Sequence, residues 1–375
     1  MDKREKERRE WIQTLRPETV VWETTLACNM RCIHCGSAAS PLTKRKDELS
    51  TEEAVDAIKQ LKGIGIRRVV LSGGEPFIRK DWETLTKAIA DQDMVPSFVS
   101  NGFLIDEEKA IKLKNIGRPD LHVGLSVDGD EKTHDYIRQT EHSFQRVTQA
   151  MDTLRQHGVL YAAITQVNKI NFHLLPWIRD HIFKHGVYAW QIQLATPWGR
   201  LADNPKLLLT PQDYLKLVEF IAEQRTIMGN VVIGADDMGY YTDLEEKLRP
   251  GTPWHGCHAG LRTVGLTSNG GVTGCLSLQA PEYIEGNLRK RKLKDIWFDP
   301  KLFAYNRDFK EEDLEGYCKE CIHRLKCQAG CRNTACSFTG SAHENIYCAY
   351  RIRMGKIPKR RIKPMIMPGS HQYHP

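Results

Sequence analysis

From residue 20 to about 227, short apolar runs alternate with amphipathic stretches, the pattern of a parallel α/β fold. The runs that read as strands are Thr19–Thr24, Arg68–Ser72, Pro96–Ser100, Leu121–Val127, Tyr161–Val167 and Trp190–Ala195. Helix starts lie between them. Ser50 followed by Glu53 is a capping box that opens a helix running to about Lys62. Thr210-Pro211 opens another, with proline at the first helical position, where a missing N–H costs nothing. Six β/α units fall short of the eight in a closed barrel. After residue 256 the regular alternation stops and cysteines become frequent. The pattern divides the chain into a charged N-terminal segment (1–17), an α/β unit (18–230), a bridge (231–256), a cysteine-rich unit (257–350) and a basic tail (351–375).

Cys28, Cys32 and Cys35 follow the first strand with the spacing C-x₃-C-x₂-C. Three thiolates on one loop can hold three corners of a four-iron cube and leave the fourth iron open for chemistry. The competing reading is structural zinc, which takes four closed ligands. His34 would then be the fourth, and its place between two of the cysteines gives it poor reach. Other motifs stand at later strand ends: Ser72-Gly73-Gly74-Glu75-Pro76, then Ser100-Asn101-Gly102, then Ser126-Val127-Asp128-Gly129 with His134, Asp135 and Arg138 beyond. Taken singly, Gly-Gly-Glu-Pro is a strand-ending turn and Arg138 a surface helix residue.

Together these motifs resemble the radical S-adenosylmethionine (SAM) superfamily. The resemblance implies a partial (β/α)₆ barrel in which Cys28, Cys32 and Cys35 bind a [4Fe–4S] cluster. SAM would bind its open iron and be cleaved to a 5′-deoxyadenosyl radical. It further implies SAM contacts from His34 (against the adenine), Gly73, Gly74, Glu75 (accepting from the ammonium), Pro76, Asn101, Ser126 and Arg138.

The other eight cysteines all lie beyond residue 256. Cys257 and Cys275 flank Val264–Thr273, which reads as a hairpin. Its Asn269-Gly270 turn would bring the two thiols together. Cys318-x₂-Cys321-x₅-Cys327-x₃-Cys331 follows, with sixteen residues between Cys331 and Cys348. This order resembles the seven-cysteine SPASM domain, so the fold expected is α/β, a radical SAM partial barrel followed by a small cysteine-rich domain with a β-hairpin. By resemblance, Cys318, Cys321, Cys327 and Cys348 hold an outer auxiliary cluster, and Cys257, Cys275 and Cys331 an inner one. Cys336 either completes the inner set or is a free buried thiol. A pair of zinc ribbons is the rival for this region.

Composition refines the picture. Eleven cysteines and no export signal point to thiols kept reduced for metals in the cytoplasm. No stretch is long enough to span a membrane. The formal charge of +7 falls to roughly +2 or +3 once three cubes are counted, so nucleic acid is not an expected partner. The basic run Lys356-Ile-Pro-Lys-Arg-Arg-Ile-Lys reads as a solvated or docking tail.

Three [4Fe–4S] clusters and SAM imply an oxidoreductase-type enzyme that abstracts hydrogen and then handles electrons. The expected partners are a ribosomally made peptide, an electron donor such as flavodoxin or ferredoxin, and a separate leader-recognition protein. Because only about eighteen residues precede the first strand, leader recognition would come from the barrel surface, the basic tail or such a separate protein. Leu276 stands after Cys275 where sulfatase-maturating enzymes carry an aspartate, which counts against that branch. Asp236 and Asp237 are candidates for a general base, with a solvated turn or helix cap as the plainer role. The alternatives are radical oxidation or maturation of a small molecule or cofactor precursor, and a non-enzymatic electron carrier.

Overall fold

The computed structural model describes residues 3–356 other than 44, 235, 252 and 279, so most of the basic tail lies outside the described residues. One ten-stranded sheet organises the chain. Its strands are β1 (Thr19–Thr25), β2 (Arg68–Gly73), β3 (Val95–Ser100), β4 (His122–Ser126), β5 (Leu160–Val167), β6 (Trp190–Leu194), β7 (Val232–Gly234), β8 (Thr263–Leu266), β9 (Gly271–Thr273) and β10 (Gly286–Asn287). The spatial order is β10-β9-β8-β1-β2-β3-β4-β5-β6-β7. From β1 to β7 every neighbouring pair is parallel.

A first helix, α1 (Lys3–Thr14), precedes β1, and the crossovers then run through α2 (Thr51–Gly63), α3 (Trp82–Asp91), α4 (Glu107–Asn115), α5 (Glu131–Arg138) with α6 (Ser143–Gln156), α7 (Leu175–Lys184) and α8 (Pro211–Met228). Helix α2 begins as the capping box requires: Ser50 Oγ accepts from Glu53 N–H and the Glu53 carboxylate accepts from Ser50 N–H. Its buried residues Ala54, Ala57, Ile58 and Leu61 form one stripe at helical spacing, facing the sheet.

Register builds the core. Leu266, Trp22, Leu71, Phe98, Val123 and Tyr161 lie side by side on adjacent strands. All six are buried, and side chains of this size contribute about 1.5–3 kcal/mol each when removed from water.

The sheet departs from the six-unit expectation at both edges. Strand β7 falls in the segment read as a bridge; three residues, Val-Ile-Gly, are too few to show a period. At the other edge β8 pairs in parallel with β1, while β8 and β9 form the antiparallel hairpin around Gly270, whose φ of +85° suits the turn. The cysteine-rich region is thus joined to the α/β unit through a continuous sheet. A second apolar cluster, including Trp198, Tyr240, Trp254 and Tyr283, packs the two regions together. Among the described residues no helix is long and apolar enough to cross a membrane.

Candidate active site and auxiliary cysteine sites

The loop after β1 carries Cys28, Cys32 and Cys35, the first two buried and the third half-buried. Burial pushes the Cys28 thiol up to about 12. Burial likewise raises Cys32, opposed by Arg138. A thiolate at such depth needs positive charge beside it. Iron would supply that charge, and the chain adds hydrogen bonds: Met30 N–H at 3.4 Å and Asn101 Nδ2 at 3.9 Å from Cys28 Sγ, and Arg138 Nη1 at 3.8 Å from Cys32 Sγ.

The Gly-Gly-Glu-Pro turn leaves β2 pressed against this loop. A Cβ on Gly73 would lie 2.2 Å from the Thr25 carbonyl oxygen, and one on Gly74 2.0 Å from that of Ala27. Only glycine permits that approach, which is secured by Gly74 N–H to Thr25 O (2.8 Å) and Glu75 N–H to Ala27 O (2.9 Å). Glu75 is fully buried and caps the short helical turn begun by Pro76. Its carboxylate accepts from Ser100 Oγ and Asn101 N–H, both at 2.9 Å, and from Phe77 N–H at 3.3 Å. Burial nevertheless pushes its pKa up to about 7. A buried carboxylate held so far from its ordinary range fits a cationic ligand such as the SAM ammonium.

Asn101 faces the cluster loop, donating from Nδ2 to Asn29 Oδ1 at 2.8 Å. Ser126 is buried at the end of β4. Beyond it lies a charged network that spacing did not foretell. Asp128 is fully buried; its Oδ2 meets Arg138 Nη2 at 2.5 Å and His34 Nε2 at 3.2 Å. Burial works to raise the Asp128 carboxyl, but Arg138 and then His34 outweigh it and hold it well below the usual carboxylate range. His34, expected against an adenine, is thus buried beside a carboxylate. Arg138 is no surface residue: it bridges Asp128 and Cys32.

A further element was missed. After β6, Gly199 and Arg200 strap the cluster loop. Arg200 Nε donates to Cys32 O and its Nη2 to Ala39 O, both at 2.7 Å, and its N–H donates to Cys35 O at 3.1 Å. A Cβ at Gly199 would lie 2.3 Å from Gly36 O. Trp198, just before, donates from Nε1 to Asn333 Oδ1 at 2.6 Å, tying the strap to the cysteine-rich region. The signal available was Trp-Gly-Arg, separated by three residues from a strand end.

Among the described residues, no three His, Cys, Asp or Glu side chains are close enough to share one metal ion, as tetrahedral zinc requires. A cube spreads its cysteines around four irons. Cys318, Cys321, Cys327 and Cys348 all line one small cavity. Burial raises Cys327 well above the usual thiol range, and the charges of Cys348, Cys318 and Cys321 add to it. Cys257 and Cys331 are hydrogen-bonded to each other, pulling Cys257 down and Cys331 up. Cys275 is raised by burial and next by the charge of Cys257. Cys336 is turned elsewhere: its Sγ meets the Tyr283 hydroxyl at 3.2 Å, and its charged neighbour is Glu282. The arrangement favours the free-thiol reading of Cys336.

Asp237 lies on the turn Asp236–Met238 and accepts from Leu194 N–H through Oδ2 at 2.9 Å, while its carbonyl accepts from Thr334 Oγ1. It anchors the end of β6 to the cysteine-rich region. The side chain of Asp236 is outside the described residues.

The family model for the radical SAM superfamily matches residues 22–176, and that for the SPASM iron–sulfur cluster-binding domain matches residues 257–322. This is a radical SAM superfamily enzyme with a SPASM domain. The radical SAM enzyme is 28% identical over 350 residues to the AdoMet-dependent heme synthase of Methanosarcina barkeri, covering 89% of this chain and 97% of that one. It is also 28% identical over 362 residues to the mycofactocin maturase MftC of Mycolicibacterium smegmatis, covering 93% and 86%. In fold it is similar to Streptococcus suis SuiB bound to precursor peptide SuiA, with a TM-score of 0.70 at 16% identity, covering 91% and 78% of the two chains.

Proposed function

We propose that this radical SAM enzyme oxidatively modifies or crosslinks a ribosomally made peptide. Once bound, SAM and the cluster on Cys28, Cys32 and Cys35 would supply the 5′-deoxyadenosyl radical. In this reading Glu75 receives the SAM ammonium, and Gly73, Gly74 and Pro76 shape the turn that presents it. Asn101 and Ser126 line the same strand ends, and Arg138 and His34 order the loop through Asp128. A side-chain or Cα carbon gives up one hydrogen atom, then one electron and one proton as the new bond forms, so the product lacks two hydrogens. Cys257, Cys275 and Cys331, and Cys318, Cys321, Cys327 and Cys348, would hold auxiliary clusters able to accept that electron. Three [4Fe–4S] clusters then serve the chain, and an electron carrier of the flavodoxin or ferredoxin class completes the circuit.

The observation that carries this reading is the four-cysteine cavity together with the Cys257–Cys331 pair. It gives an oxidised substrate somewhere to leave its electron. The likeness to MftC over 93% of the chain supports the peptide. A second reading, oxidation of a small molecule such as a tetrapyrrole, is favoured by the heme synthase relative, 97% of whose length is matched.

The test is anaerobic turnover of the cluster-loaded enzyme with SAM, reductant and any short peptide found encoded beside its gene. The peptide should lose about two hydrogens per modification and transfer deuterium from labelled carbon to 5′-deoxyadenosine. Turnover of an iron porphyrin with no change in the peptide would establish the second reading instead.

A further inference from the structure

A buried cation without an anion beside it is costly, so it marks a place where negative charge is expected. Arg332 is such a cation. It is fully buried and follows Cys331 directly. Nε donates to Asn306 Oδ1 at 2.8 Å, and Nη1 donates to the carbonyls of Gln328 (2.8 Å) and Ala342 (2.7 Å). Nη2 has no hydrogen-bond partner. Phe309 covers the group, its ring centroid 5.1 Å from the guanidinium carbon. The ionisable groups that bear on it most are Cys257, Cys331, Cys327 and Tyr283, and none is a carboxylate.

These anchors place the charge between the two cysteine sets. Asn306, which holds Nε, also donates to the carbonyls of Cys257 (3.0 Å) and Ala259 (2.7 Å). Gln328, which accepts from Nη1, is the residue after Cys327. The Arg332 backbone N–H is itself directed at the Cys257 sulfur. One guanidinium is thereby fixed to the inner loop on one side and to the outer turn on the other.

We propose that Arg332 is a positioning residue that sets the reduction potential of both auxiliary clusters. The inference rests on the reading above that both cysteine sets hold clusters. When the substrate radical is oxidised by one electron, the accepting cube gains that electron and passes from 2+ to 1+. It later gives the electron up to an external carrier of the flavodoxin or ferredoxin class. A fixed positive charge in a medium of low dielectric stabilises the reduced, more negative form. Because the same charge serves both sites, it raises both potentials together and keeps the electron mobile between them.

The experiment is an anaerobic redox titration followed by electron paramagnetic resonance. It uses the cluster-loaded full chain with Cys28, Cys32 and Cys35 changed to Ala, so that only auxiliary signals remain. Arg332→Met should lower both midpoints, shifting each oxidised-to-reduced ratio about tenfold, ~59 mV for a one-electron couple. Arg332→Lys, which keeps the charge, should recover most of the shift. If Arg332→Met loses iron, Arg332→Gln keeps donors for the two carbonyls without charge and carries the same expectation. Unchanged midpoints at full iron content, a shift at one cluster alone, or equal shifts in the Met and Lys variants would each overturn the inference. A parent protein with no auxiliary signals would instead overturn the reading on which it rests.

Discussion

Replacing Glu75 with Gln tests whether the Gly-Gly-Glu-Pro carboxylate is a strained charge kept for a ligand. In the folded chain its pKa is displaced from an ordinary 4.5 to about 7 by burial. The folded state therefore binds the proton more tightly than the unfolded chain between those values. Stability falls as pH rises through that window, and the cost is fully present above pH 7. At about 1.4 kcal/mol per unit, ionised Glu75 costs the fold about 3 kcal/mol at pH 8 and under about 1 kcal/mol at pH 5. The Glu75→Gln change removes the charge, but the amide cannot accept from all three donors, Phe77, Ser100 and Asn101, a loss of about 1 kcal/mol. The variant should match the parent near pH 5 and be more stable by about 2 kcal/mol at pH 8. Anaerobic urea titrations of the cluster-loaded enzyme without SAM measure this. SAM affinity should move the opposite way, roughly tenfold weaker or more at pH 8 by calorimetry, because a charge-assisted bond to the ammonium is gone. A stability difference that stays flat from pH 5 to 8 would refute the reasoning.

Other expectations follow from the same geometry. Changing Cys28, Cys32 and Cys35 together to Ala should abolish 5′-deoxyadenosine formation and lower iron from about twelve to about eight per chain; SAM cleavage retained by that variant would exclude the loop as the cluster site. Stoichiometric zinc with only about four irons in the parent would show that the C-terminal cysteines form zinc ribbons instead. Gly74→Ala drives a Cβ to 2.0 Å from Ala27 O, so it should cost about 1–3 kcal/mol or more in urea unfolding and impair SAM cleavage. A parent-like midpoint and rate would mean that β2 and the cluster loop need not touch.

Much of this arrangement was legible because it is local. The strand runs and capping boxes depend on residues a few positions apart, and the six strands foreseen lie within about two residues of their observed ends. The motif residues at β1 to β4 were legible for a related reason, since parallel neighbours bring consecutive strand ends to one side of a sheet. What escaped is non-local. His34 and Asp128 meet only when α5 carries Arg138 back onto the cluster loop, and no spacing in the chain encodes that contact. Spacing alone leaves Cys336 open between ligand and free thiol, because its Tyr283 partner lies 53 positions away. Spacing likewise leaves Asp237 open between a general base and a structural turn, and its carboxylate accepts from the β6 backbone at Leu194.

The strap after β6 explains why these two regions occur in one chain rather than as separable parts. Arg200 fixes the carbonyls of the loop that carries Cys28, Cys32 and Cys35, and Trp198, two residues earlier, bonds to Asn333, the residue next to Arg332. A displacement of the cluster loop is thus passed within one short segment to the helix that follows Cys331. Trp198→Phe removes the 2.6 Å bond to Asn333, which leaves the Asn333 oxygen buried and unpaired at a cost of about 1–3 kcal/mol, and adds a smaller-ring packing loss because Trp198 is fully buried. If the strap aligns the two regions, this variant should bind SAM normally and still form 5′-deoxyadenosine. The fraction of deoxyadenosine formed without product should rise, since the substrate radical would stand less well placed to lose its electron. Unaltered coupling between deoxyadenosine and product, at the reduced stability expected, would confine the strap to a role in folding.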